Sequence, residues 1–119
     1  MDKPNQSETE LNKSELFQYE YDNLTSVFHG VEEDKRKIVD GLINDAAFLY
    51  AENKTLKQIL WKSGMVIINP KNPEQQKPMP AAIQYLKNVN SYAVIIKTLN
   101  SILSKNEIDT EDDDMKDFE

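Results

Sequence analysis

Leu42, Leu49 and Leu56 recur every seven residues, and Val39, Ala46, Asn53 and Leu60 fill the companion positions of the same repeat. Two interleaved rows at that spacing lie on one side of an α-helix, so Val39 to Leu60 is tied to one long helix with an apolar stripe. Ile43, Ala47 and Tyr50 form a second apolar row beside the first. A stripe that wide exceeds what a two-stranded zipper needs and suits a helix packed on two sides. Asn53 places an amide inside it, and two readings stand side by side. In a coiled-coil-like seam, a buried Asn lowers stability and fixes register or oligomer state, because only an Asn partner satisfies its amide. In the core of a small bundle, the same amide is capped by a neighbouring carbonyl.

A chain of 119 residues has room for one small domain with a modest core. Its strongly apolar residues fall in three blocks between segments too polar to bury, and so thin a core is naturally completed by self-association. There is no Cys, which excludes disulfides and thiolate metal sites and suits an intracellular protein. The Met1 end is polar and acidic and does not resemble a signal peptide. No run reaches the length needed to span a membrane, so the expectation is a soluble cytoplasmic protein with no membrane partner.

The net charge of −7 is unevenly laid out. Residues 1–53 carry 12 acidic and 5 basic side chains, and residues 106–119 carry 8 acidic side chains with Lys116. Between them, residues 54–105 carry eight lysines against the lone Glu74. An acid, base, acid order says more about partners than the overall balance does.

Met1 to about Lys13 reads as a frayed end. Ser7 with Glu10, and Asn12 with Glu15, have the spacing of capping boxes for a first helix. Leu16 to Phe28 then covers much of a helix surface, and Gly30 offers a stop. His29, just before it, favours a helix C-terminal dipole, and with no second His or Cys it carries no metal site. Glu32, Glu33 and Asp34 suit the N-terminal dipole of a second helix running to Ser63, with Gly41 a weak point and Gly64 the stop. Trp61 reads as a packing anchor near its end. Met65 to Ile68 reads as a short strand or an apolar clasp. Pro70, Pro73, Pro78 and Pro80 make residues 64–79 a non-helical connector, and Pro80 suits the first turn of a third helix. That helix shows Leu86, Val89, Ala93, Ile96 and Leu103 in one row and Tyr92, Ile95, Leu99 and Ile102 in the next. From Asn106 the chain is an acidic segment with almost nothing to bury. Its Asp run lacks the spacing of a calcium loop, and no phosphate loop, nucleophile motif or metal triad occurs anywhere. The chain is therefore expected to be a non-enzyme with no cofactor.

The fold expected is mainly α: three helices about a central long one, the second and third forming an antiparallel hairpin, with a short β-like connector and a disordered acidic tail. Residues 1–105 would be a single helical oligomerisation domain and residues 106–119 the tail.

The run LINDAAFLYAENKTLKQILWKSG, the apolar MVII, the Pro-rich connector, PAAIQYLKNVNSYAVIIKTLNSIL and the acidic end together resemble the small subunit of phage terminases. The resemblance covers Val31 to the C-terminus. It implies a ring-forming homo-oligomer in the host-cell cytoplasm that binds double-stranded viral DNA and hands it to the large subunit, which holds the ATPase and nuclease. Many members begin with a basic arm or a DNA-binding helix pair, whereas residues 1–30 here are acidic. Charge counting therefore makes Lys54, Lys57, Lys62, Lys71, Lys77, Lys87 and Lys97, with Lys35, Arg36 and Lys37, the candidates for DNA contact, although a lysine on a solvated face is the commoner explanation for any one of them. The seam residues Leu42, Ala46, Leu49, Asn53, Leu56, Leu60, Val89, Ile96 and Leu103 are the candidates for joining protomers. The alternative is a small helical scaffold or regulator that binds only protein, its basic half pairing with the acidic residues 1–53 of a neighbour.

Overall fold

The structure, a computed structural model, describes the backbone of residues 12–116 and the side chains of residues 12–105. Helix α1 spans Lys13–Val27. Asn12 caps it, its side chain accepting from the Ser14 N–H at 3.4 Å, without the reciprocal Glu15 contact of a full capping box. The Ser7–Glu10 pair lies outside the described residues. At the far end the Phe28 N–H donates to the Leu24 carbonyl, and His29 Nδ1 donates to the Ser26 carbonyl at 2.5 Å, so the imidazole satisfies one of the carbonyls a helix end leaves open.

Helix α2 is the expected long element, Glu33–Ser63. It stops where Gly64 turns to φ +77° and ψ 168°, a conformation open in practice only to glycine. Gly41, by contrast, sits in regular helix, and a Cβ added there meets nothing within 4 Å. The two glycines should therefore respond oppositely to substitution. Gly41→Ala should stabilise by about 0.5–1 kcal/mol through backbone entropy. Gly64→Ala should cost about 1–3 kcal/mol. Paired thermal melts check both signs.

The connector is a β-hairpin. Strand β1, Val66–Asn69, pairs antiparallel with β2, Asn72–Pro78, in the register Val66–Pro78, Ile67–Lys77 and Ile68–Gln76, with an irregularity before Asn69–Asn72. The β-like character expected of the connector is present, and β2 adds a second strand that the polar, Pro-rich half of 64–79 did not suggest. A two-stranded ribbon uses one edge of each strand, so the missing N–H groups of Pro73 and Pro78 are tolerated where a central strand would exclude them. At the tip, Asn69 Oδ1 accepts from the Lys71 N–H at 3.0 Å, a local side-chain bond that favours the reversal. Helix α3 then runs Pro80–Lys116, with Pro80 in its first turn and the Met79 carbonyl accepting from Ala82 and Ile83. The tail expected over residues 106–119 falls where side chains are not described. The helical backbone passes the expected boundary and continues to Lys116.

Both neighbours of α2 run antiparallel to it. Lys13 meets Glu52 at 3.0 Å and the Tyr21 hydroxyl donates to Asp40, so α1 lies beside α2 from the level of Glu52 back to that of Asp40. On the other side Leu99 of α3 packs with Val39, Ile43 and Ala46, while Tyr92 and Tyr85 face the turns from Tyr50 to Lys57. The core is the three-helix half: Leu24, Phe28, Val31, Val39, Ile43, Ala46 and Leu99.

The two rows of each stripe are buried to different depths. On α2 the companion row, Val39 and Ala46 with Ile43, is buried, and Leu42, Leu49 and Leu56 are half-buried at its margin. On α3 the second row packs: Leu99 is 1% exposed, whereas Leu86 is 51% and Val89 38% exposed.

Past Glu52, α2 and α3 continue without α1, and the β-hairpin extends them. Eleven residues of helix at 1.5 Å and a seven-residue strand at about 3.3 Å put roughly 40 Å of the molecule beyond the three-helix core. The long axis of 77 Å and radius of gyration of 20.4 Å agree, against roughly 13–14 Å for a compact chain of this length. Trp61, expected as a packing anchor, is 81% exposed on this arm, beyond the level of Glu52 at which α1 begins.

Candidate nucleic-acid interface

The arm carries most of the basic charge. Between residues 54 and 87 the chain has six lysines and one acid, Glu74. Lys54, Lys57 and Lys62 stand on the last turns of α2, Lys71 and Lys77 on the hairpin, and Lys87 in the second turn of α3. All six are exposed. Helix ends and a hairpin thus gather at one end of the molecule what the sequence spreads over 34 positions. At the opposite end, Glu32, Glu33 and Asp34 open α2 beside Lys35, Arg36 and Lys37, and Asp40 follows within two turns.

Not every lysine predicted to contact DNA joins that set. Lys35, Arg36 and Lys37 lie in the first turns of α2, about 38 Å from Lys62 by helix rise, within the acidic end. Arg36 lines a small hollow with Asp40 and His29 there. Lys97 is exposed on the part of α3 that packs on the core.

The candidate seam residues are largely used within the protomer. Ala46 is fully buried and Leu60 buried, while Leu42, Ile96 and Leu103 pack against the core cluster. Leu49 and Leu56 are half-buried, and Val89 is exposed. Asn53 faces α3 within the protomer: it lines a cleft with Tyr50, Lys54, Lys57, Tyr85 and Tyr92, and its buried Oδ1 has no hydrogen-bond partner. Leaving such an acceptor unpaired costs about 1–3 kcal/mol.

The sequence reading places Tyr50 and Tyr92 in apolar packing rows and does not single out Tyr85, yet a signal for the cleft is present. Tyr50, Asn53, Lys54 and Lys57 fall at i, i+3, i+4 and i+7, and Tyr85 and Tyr92 at i and i+7, the spacings that place side chains on one helix face. Lys54 Nζ lies 5.3 Å from the centre of the Tyr50 ring, within cation–π range. Tyr19 of α1 stacks on the same ring at 6.3 Å.

Behind the cleft, Tyr92 ties α3 to α1. Its hydroxyl donates to Glu20 Oε2 at 3.1 Å, and Asn23 donates to the other oxygen of this buried carboxylate. Burial first, and the Glu20 charge second, push the Tyr92 hydroxyl up to about 12. Tyr21 is raised as well, by its hydrogen bond to Asp40 above all. A phenol whose folded-state value exceeds its unfolded value near 10 keeps its proton more firmly in the folded state. Its contribution to stability is complete below pH 10 and lost as pH rises through about 12. Tyr92→Phe should therefore cost about 1.5–3 kcal/mol at neutral pH, as for a hydrogen bond to a charged group. The fall in its melting temperature between pH 10 and 12 should also be shallower than that of the native chain, as scanning calorimetry across that range will show.

Among the described residues no group of His, Asp, Glu or Cys side chains could hold a metal ion, and no helix is long and apolar enough to cross a membrane. No protein-family model, curated protein or solved structure matches this chain.

Proposed function

We propose that the protein is a non-enzymatic DNA-packaging adaptor of the terminase small-subunit kind. It self-associates, draws double-stranded viral DNA to its basic arm through phosphate contacts, and recruits or regulates a large subunit that supplies the ATPase and nuclease. One observation carries this reading: six exposed lysines share an elongated arm with a single acid, while the acids of α2's start lie at the other end. A surface of that kind attracts a polyanion without reading its bases. Self-association is supported by the apolar residues the arm leaves in water, Ile59, Trp61, Ile83 and Leu86 among them. The same residues favour the second reading, a scaffold that binds only protein.

Sedimentation of the full chain, alone and with a labelled duplex at about 50 mM salt, where phosphate contacts are strong, tests the proposal. The expected result is a particle larger than a dimer that carries the duplex with it. An oligomer that leaves the duplex behind would establish the scaffold instead. A monomer that also leaves it behind would overturn the adaptor reading altogether.

A further inference from the structure

We propose that the cleft between α2 and α3 formed by Tyr50, Asn53, Lys54, Lys57, Tyr85 and Tyr92 binds an unpaired nucleobase together with its phosphate. The inference deepens the nucleic-acid reading and rests on it for how a strand reaches the cleft. The cleft measures about 270 Å³, just under the roughly 300–1,000 Å³ of sites for drug-sized ligands, so it admits one aromatic ring system rather than several. Its three tyrosines are half-buried and its two lysines exposed, which offers ring faces and ammonium groups side by side. That pairing is how single strands are held: bases stack on aromatic rings while cations follow the backbone.

The cleft is also braced. Tyr92 is oriented by its hydrogen bond to Glu20, and Tyr50 is backed by Tyr19 on α1. Asn53 lines the same cleft, and the NH2 of such an amide donates to base-edge acceptors. Other ligand classes fit less well. The lining contains no carboxylate for a metal ion. An apolar helix would strip water from Lys54 and Lys57 without pairing them. A bare anion would use the lysines and leave the ring faces idle. A duplex keeps its base faces stacked inside, so only an unpaired nucleotide presents both groups at once.

The test uses the full chain and four probes: a labelled deoxyadenosine single strand, the corresponding duplex, free dAMP and inorganic phosphate. Binding is read by fluorescence anisotropy and by amide and tyrosine NMR shifts. The single strand should bind more tightly than the duplex at equal salt and shift Asn53, Tyr85 and Tyr92. Tyr85→Leu should weaken single-strand binding about 5- to 100-fold, the fold-change of lost base stacking, and leave duplex affinity unchanged. Lys57→Gln, a surface change that leaves packing intact, should weaken the single strand too. If dAMP shifts the same residues, the cleft takes free nucleotides as well; if only the strand does, it needs the strand's neighbouring phosphates. Both outcomes support the cleft. Shifts confined to the lysines with every probe, or equal binding of strand and duplex that Tyr85→Leu does not change, would overturn it and leave the duplex reading standing. Binding of strand or dAMP without duplex would keep the cleft and remove the duplex reading.

Discussion

Leu99→Ala should lower the stability of the protein by about 2–5 kcal/mol, the range for emptying a buried leucine site. Leu99 is the largest side chain wholly enclosed in the structure, and it is where α3 meets both α1 and α2. Its neighbours Leu24, Phe28, Val39 and Ile43 come from two helices and from different turns, so they cannot all collapse into the space left. Because a domain of this size holds only about 5–15 kcal/mol in total, the loss is a large part of it. Leu86→Ala is the matched control. The same deletion on the exposed row of α3 should shift stability little in an isolated protomer, and a thermal or urea melt of the pair distinguishes them. If Leu86→Ala proves the more damaging at concentrations where the protein is assembled, Leu86 lies in the contact between copies.

The second large effect concerns binding. Replacing Lys62, Lys71 and Lys77 together by Gln removes half of the six lysines of the arm without touching a buried residue. Each phosphate contact contributes about 0.9 to the slope of log affinity against log salt. Six contacts imply that duplex affinity falls roughly 10³-fold between 50 and 200 mM salt, and three imply a fall of only about 40-fold. The triple variant should therefore bind more weakly at low salt and lose less on salt addition. Substituting Lys35, Arg36 and Lys37 in the same way should leave the slope unchanged, because they lie at the other end of α2. Equal effects from both sets would mean that net charge alone, and not the arm, governs binding.

Much of the architecture is legible in the chain because local rules and tertiary packing agree there. The heptad leucines define α2, Gly64 supplies its stop through a backbone angle other residues avoid, and Pro80 opens α3 where its missing N–H costs nothing. The β2 strand was hidden because Pro73 and Pro78 flank a run of polar residues with no alternation. Its pairing comes from β1 and the tip, not from any apolar face of its own. The identity of the packed rows was hidden for a different reason. Periodicity marks an apolar face but not which edge of it a third helix covers, and α1, which begins beside Glu52, covers α2 from there back past Asp40. Trp61 lies beyond that stretch and is exposed, although its size pointed to burial. Of the candidate site, the lysines are visible as a count. Their division into an arm set and a separate Lys35–Lys37 set appears only once α2 is drawn at its full length. The tyrosine cleft had helical spacing in its favour, but its two halves lie on different helices and meet only through the antiparallel turn-back of α3.

Whether the basic arm binds duplex DNA by phosphate contact is decided by the slope of log affinity against log salt for the full chain. A linear fall with a slope near −5 is expected for one protomer's six lysines, steeper if several protomers engage one duplex. A slope near zero, or no duplex binding even at the lowest salt, would contradict such binding.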